Sequence, residues 1–261
     1  MYEAIATEVR DKVGRITLSR EEKRNAISPT MMNELLQAFR EFNDDPSVVA
    51  IVLTGAGSKA FCSGADIGES IAAGASFVER HEEQRKFVEL FKIIIGLKKP
   101  LVGRINGHAM GGGLGLAAAC DITVATQDCK FGTPEANVGL FPYVIMATLL
   151  RVVTAPKRLL EMMLAGERLD AEEALRLGLV NHVVPRDQLD AKVDEITGNL
   201  VNKSPLTLRL GRRAFYTMRD MEYEKALEYL SSMLAINTAA EDVAEGIASF
   251  MEKREPVWKG K

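Results

Sequence analysis

The sequence predicts an α/β fold with mainly parallel strand pairing, followed by a helical C-terminal region. Three observations predict it. Short apolar runs rich in β-branched residues, such as VVAIVLTG at Val48 to Gly55, alternate with segments of helical period. Those runs are continuous rather than alternating, as in strands buried on both faces. From Gln188 onward strand signals stop, and helical periods continue to Met251. The division expected is a core over 1–195 and a helical region over 196–261.

The elements follow in order. Ile5, Thr7 and Val9 alternate, Asp11-Lys12 turns the chain, and Ile16 and Leu18 continue, which predicts a β-hairpin. Ser28-Pro29 reads as an N-cap with proline at the first helical position. Met32, Leu35, Leu36, Phe39 and Phe42 then recur at helical spacing. A strand at Val48 to Gly55 leads to a glycine-containing loop and a helix from Phe77 to Ile95. Further strands are expected at Leu101 to Ile105 and Ile122 to Ala125, with a helix between them. Two helices fall between Tyr143 and Ala165. Asp170 caps another that ends at Gly178, and LVNHVVP is the last strand. Leu227, Leu230, Leu234 and Ile236 mark an apolar helix face in the C-terminal region.

The chain has 261 residues, enough for one large domain or a domain with an appendage. A net charge of −3 gives no reason to expect nucleic acid or an anionic membrane as partner. Arg209, Arg212 and Arg213 read as a solvated helix face, with phosphate contact as the alternative. Three cysteines without framework spacing read as reduced thiols of a cytoplasmic protein. No apolar run approaches about 18 residues, so no membrane span is expected. No basic region followed by an apolar run opens the chain, so no secretory signal is expected.

Several chemistries can be tested by motif. GAGSKA at Gly55 to Ala60 matches G-x-G-x-x-A, but the FCSGAD that follows has weak helix character, which argues against a dinucleotide site. No Walker sequence and no G-x-S-x-G elbow occur. His81, His108 and His182 lack metal-ligand spacing, so no metal is expected. His108, near the glycine cluster, is the one with a claim to shape a pocket.

Two loops remain. One is FCSGADI, Phe61 to Ile67. The other is GHAMGGGLG, which runs from a strand into a helix. Glycines let backbone N–H groups face a cavity with no Cβ in the way, and a helix start adds unpaired donors. Converging N–H groups from two loops would form an oxyanion hole. Tight helix packing at Gly112, Gly113 and Gly115 explains the same glycines, and the residues alone leave both readings open.

At this point the chain resembles the crotonase, or enoyl-CoA hydratase/isomerase, superfamily. RNAIS (Arg24 to Ser28), FCSGADI, INGHAMGGGLGLAAACD, FGTPEANVGL, LAGERLDAEEALRLGLVNHVV and FMEKREPVWKGK fall in family order over nearly the whole chain. The resemblance implies a spiral of ββα turns with a C-terminal helical oligomerisation region. It implies homotrimers or dimers of trimers, acyl-CoA thioester substrates and a place in fatty acid metabolism such as β-oxidation. It implies no cofactor beyond the coenzyme A of the substrate. By motif position, the Ala65 and Gly112 N–H groups would hold the thioester oxygen of an enolate. Arg24 and Ala26 would meet the CoA nucleotide, and Ala65, Asp66 and Ile67 the adenine and pantetheine. Phe250 and Lys253 resemble C-terminal residues that approach CoA, in some members from a neighbouring subunit.

Hydratases of this family carry two glutamates, and here Gly115 stands at the first position and Glu135 at the second. Adding water needs activation at C3 and proton delivery at C2, which two carboxylates share conveniently. Moving a double bond needs one proton taken from C2 and returned at C4, which one carboxylate can do. Glu135 therefore reads as the acid/base, its pKa raised by an apolar pocket. FPYVIMATLLR also departs from the family's glycine-rich run: Tyr143, Val144, Ile145 and Met146 stand in place of small residues. A more apolar pocket wall follows. Tyr143 is expected in core packing, with a hydroxyl aimed into the site as the alternative. Glu69 and Glu79 are the candidates for a second acid. The expected function is isomerisation or hydration of an enoyl-CoA; a CoA-binding or interaction protein with little catalysis is the alternative.

Overall fold

The computed structural model describes residues 2–70 and 76–261, with side chains excluded at Glu69 and Ser70. The hairpin forms from β1 (Ile5–Arg10) and β2 (Val13–Leu18), turning through Asp11 and Lys12, both at positive φ. In α1 (Pro29–Asp44) the Ser28 hydroxyl caps the Met31 N–H at 3.1 Å. Then come β3 (Ala50–Gly55), β4 (Ala60–Cys62), α2 (Ile67–Ser70) and α3 (Phe77–Gly96). The next turn is β5 (Leu101–Ile105), β6 (His108–Met110) and α4 (Gly112–Ala119). A third is β7 (Ile122–Thr126), β8 (Lys130–Gly132) and α5 (Tyr143–Val152). The chain continues through α6 (Pro156–Ala165), β9 (Arg168–Asp170), α7 (Ala171–Arg176) and β10 (His182–Val184). It closes with α8 (Leu189–Val201), α9 (Pro205–Met218), α10 (Tyr223–Thr238) and α11 (Glu241–Glu252).

These are successive ββα turns. The first strand of each turn joins one sheet, ordered β1-β2-β3-β5-β7-β10 and parallel beyond the opening hairpin. The second joins another, ordered β4-β6-β8-β9, with only β8–β9 antiparallel. The expected ββα spiral is therefore what the chain forms.

The period-two alternation of a strand explains why the large sheet needs cover on both faces. Ile51, Leu53, Leu101 and Ile105 point into the main core with Phe61, Phe131 and Leu114. Val52, Val102 and Val124 point the other way, onto Leu189, Val193 and Ile196 of α8. Helix α8 thus belongs to the sheet's packing and runs through the 195/196 boundary expected from sequence.

Two sequence readings change. GAGSKA is followed by strand β4 rather than a helix, so no phosphate-binding helix start exists there. Of the arginine cluster, Arg212 is neither solvated nor a phosphate ligand. Its guanidinium is buried, bonding Asp121 at 2.7 Å and the Ile94, Ile95 and Leu97 carbonyls at 2.6–2.8 Å. Tyr216 donates to the other Asp121 oxygen at 2.6 Å, and Leu101 N–H bonds the same carboxylate. This network ties α9 to the ends of α3 and α4.

Candidate active site

The loops around Arg24 to Ser28 and Phe61 to Ile67 pair with each other. Ile27 N–H donates to Gly64 O at 2.8 Å, Asp66 N–H to Ile27 O at 2.9 Å, and Ser63 N–H to Arg24 O at 3.1 Å. Buried Asn25 holds the bend, donating to Ala56 O and Ala60 O while accepting from Arg20 N–H. Arg20 Nη1 donates to Ala26 O at 2.9 Å and to Asp66 at 3.0 Å. Arg24, Ala26, Asp66 and Ile67 are thereby gathered at one edge. Arg20 and Asn25 were not singled out from sequence, although Asn25 lies within RNAIS.

The second loop meets this edge. The pairing of the loops uses Ile27 and Asp66 N–H, leaving Ala65 N–H outside it. Gly112 is the first residue of α4, where N–H groups have no intrahelical acceptor. A Cβ at Gly112 would lie 3.7 Å from Ala65 N, so the two donors are neighbours. Gly111 caps the helix at φ +52 and ψ −125, a conformation open to glycine. A Cβ on Gly113 would strike Cys62, and one on Gly115 would lie 2.9 Å from Ile145 Cβ and 3.0 Å from Phe91 Cζ. The packing reading is thus met at Gly113 and Gly115, and Phe87 Cε1 at 3.2 Å crowds Gly112 as well, while Gly111 and Gly112 form the helix start.

Glu135 comes from a 3-10 turn, Pro134–Val138, directly after β8. Because β8 pairs with β6, this turn stands beside the start of α4. Glu135 Oε1 lies 2.8 Å from the point a Cβ on Gly111 would occupy. Its Oε2 is buried with no hydrogen-bond partner among the described residues, as is Thr133 Oγ1. Burial pushes the Glu135 carboxyl above its ordinary range, while its own backbone N–H acts in the opposite direction. A buried carboxylate oxygen without a partner costs stability, and costs of this kind concentrate at functional sites.

The other expectations fare differently. Glu79 is not a second acid: with Ser76 it forms a capping box at the start of α3, which holds its carboxyl below the ordinary range. Glu69 lies outside the described side chains. Tyr143 is 73% exposed, so it is not core packing. The His108 ring is bound to β8, accepting from Lys130 N–H at 3.1 Å. His81 stacks on Phe77 at 6.0 Å. Phe250 and Lys253 sit exposed at the end of α11 and line neither large cavity of this chain.

Two cavities flank the site. One, of about 430 Å³, opens beside Ala65 and is walled by Ile27, Met32, Ile67, Phe77 and Phe87. The other, of about 670 Å³, lies beyond Phe91 between α3, α5 and α9. Two backbone donors beside an apolar cleft, with one protonatable carboxylate facing them, can stabilise an oxyanion while moving a proton.

A family model described as enoyl-CoA hydratase/isomerase matches residues 8–261. The carnitinyl-CoA dehydratase of Escherichia coli is 36% identical over 250 residues, covering 94% of each chain. The crotonyl-CoA hydratase of Syntrophomonas wolfei is 31% identical, covering 97% of this chain and 96% of its own. The crystal structure of an enoyl-CoA hydratase from Mycobacterium smegmatis superposes with a TM-score of 0.93 at 33% identity, covering 98% of this chain and 99% of its own. Ordered motifs, ββα architecture and these matches agree: the chain belongs to the enoyl-CoA hydratase/isomerase family.

Proposed function

We propose that this enzyme binds an acyl-CoA thioester, with its carbonyl oxygen between the Ala65 and Gly112 N–H groups and Glu135 as the sole acid/base. The observation that carries this is the half-buried Glu135 carboxylate beside the start of α4, whose Oε2 is buried with no partner among the described residues. Enolate formation places negative charge on the thioester oxygen, where the two N–H groups stabilise it. Arg24, Ala26, Asp66 and Ile67 then carry the nucleotide and pantetheine. Phe250 and Lys253, which line neither of these cavities in their own chain, would reach CoA of a neighbouring copy in a homotrimer or dimer of trimers. No cofactor is required beyond the substrate's own CoA. A cytoplasmic role in fatty acid metabolism fits this chemistry.

Isomerisation is the reaction favoured. Glu135 takes the C2 proton of a 3-enoyl-CoA, charge spreads onto the thioester oxygen, and the proton returns at C4 to give the 2-enoyl-CoA. The space over Gly115 is filled by Ile145 and Phe91, so no carboxylate stands there to share the work of hydration. Hydration by one carboxylate is the second reading, supported by the hydratase and dehydratase names of the relatives. The test supplies 2-enoyl- and 3-enoyl-CoA to wild type and Glu135→Gln. Conversion of 3-enoyl-CoA that is lost in Glu135→Gln supports the proposal; full activity in that variant overturns the mechanism. CoA binding without turnover of either substrate would favour a binding protein.

A further inference from the structure

Helices α3 and α4 face each other across three successive levels. Phe87, Phe91 and Ile95 recur on one face of α3 at i, i+4 and i+8. Gly112, Gly115 and Ala119 recur on α4 at i, i+3 and i+7. At the first level, Phe87 Cε1 lies 3.2 Å from the Cβ position of Gly112, beside the two donors. At the second, Phe91 and Ile145 meet over Gly115. Both are nearly sealed, at 6% and 4% exposure. At the third, Ile95 and Ala119 wall the cavity of about 670 Å³, and Phe91 forms its near end.

The geometry points to Phe91 and Ile145 as a gate that sets the acyl-chain length. This rests on the acyl-CoA reading of the site. In that reading the pantetheine lies along Ala65 to Ile67, so the acyl group leaves the carbonyl on the opposite side, along α4. Gly115 stands roughly 4.5 Å beyond Gly112 along the helix axis, about the length of a four-carbon acyl group. A short chain ends against Ile145 and Phe91. A longer one meets them as an obstacle, although a cavity lies behind, apolar at Ile95, Ala119 and Val144 and charged at Lys92, Arg151 and Arg219. The occupant expected is a short-chain acyl-CoA, and opening the gate would admit longer chains.

Saturated acyl-CoAs test this without turnover. Dissociation constants of butyryl-CoA and decanoyl-CoA are measured calorimetrically for wild type, Ile145→Ala and Phe91→Leu, with folding checked by thermal unfolding. Each buried methylene is worth roughly a four-fold gain in binding, so an admitted tail is readily seen. Wild type should bind decanoyl-CoA no more than about three-fold tighter than butyryl-CoA, since little of the tail is buried. The ratio should shift at least ten-fold toward decanoyl-CoA in both variants. Because the ratio is taken within each protein, a general loss of affinity does not mimic the effect. A wild type that tightens steadily with each added methylene overturns the gate, even if neither variant folds. So does a ratio unchanged within two-fold in the folded variants, which would direct the tail to the cavity beside Met32. Failure of wild type to bind butyryl-CoA at all would instead overturn the acyl-CoA reading itself, and the gate with it.

Discussion

Ile145 occupies the space that a side chain at Gly115 would need. Its Cβ lies 2.9 Å from the Cβ position of Gly115, and Phe91 Cζ closes the same space at 3.0 Å. Two departures from the family pattern, a glycine for a glutamate and an isoleucine in a glycine-rich run, are therefore one packing event. Side chains on a helix lean toward its N-terminus, so the filled space lies toward Gly112 and the donors.

This contact predicts that Gly115→Ala destabilises the fold by about 1–3 kcal/mol, the usual range for overpacking. In an Ile145→Ala background the same substitution should cost less, because the side chain it strikes is gone. Urea denaturation of the single and double variants checks both statements. Equal destabilisation in the two proteins would deny the contact.

Glu135→Gln should lower kcat about 10²–10⁴-fold, the range for removing a general acid/base. The wild-type rate should rise with pH along a limb lying above the ordinary carboxylate range, because the base must be ionised and burial raises its pKa. Steady-state rates between pH 4 and 9 read the limb, which is absent from Glu135→Gln.

The same carboxylate links stability to pH. Its raised folded pKa means that the folded protein holds the proton more tightly than the unfolded chain. Its stabilising contribution is complete below the ordinary carboxylate pKa and is lost as pH rises through the raised value. Glu135→Gln should therefore melt above wild type at neutral pH, and the difference should shrink toward about pH 4. Calorimetric Tm values at several pH values decide this.

Gly111→Ala should damage the site twice. It forces a side chain into φ +52, and its Cβ would stand 2.8 Å from Glu135 Oε1. Strain at such a position costs about 1–3 kcal/mol. A larger fall in kcat than in melting temperature would show that Glu135 has been displaced. Unchanged kinetics would contradict the placement.

Breaking the buried ion pair between Arg212 and Asp121 should cost about 3–5 kcal/mol, since one charge is left uncompensated. Arg212→Met and Asp121→Asn should each show it, and the double variant should lose less than the sum. Chemical denaturation of the three proteins completes the cycle.

Much of the site was legible because its parts are local. Ser28-Pro29, Asp170 and Gly178 announce helix ends, and each acts within a turn of itself. GGGLG and SGAD announce open backbone, and Glu135 stands in a recognisable motif. The three-residue strands β4, β6, β8 and β9 escaped, since a period of two cannot be read in so short a run. Arg212 was misread because its partners, Asp121 and the end of α3, lie 91 to 118 residues away in sequence. The spacing Ser76-x-x-Glu79 is a capping-box signature, so the structural role of Glu79 was legible in the sequence.

The sequence by itself determined the order of the longer elements, the parallel core, the family and the absence of a glutamate at position 115. Periodicity, capping residues and ordered motifs carry that information along the chain. Only the tertiary structure decided what fills the place of that glutamate. Ile145 is 30 residues from Gly115 and Phe91 is 24, and no local rule couples them. They meet because α3 and α5 pack on α4 in a close-packed interior, where space left by one residue is taken by another.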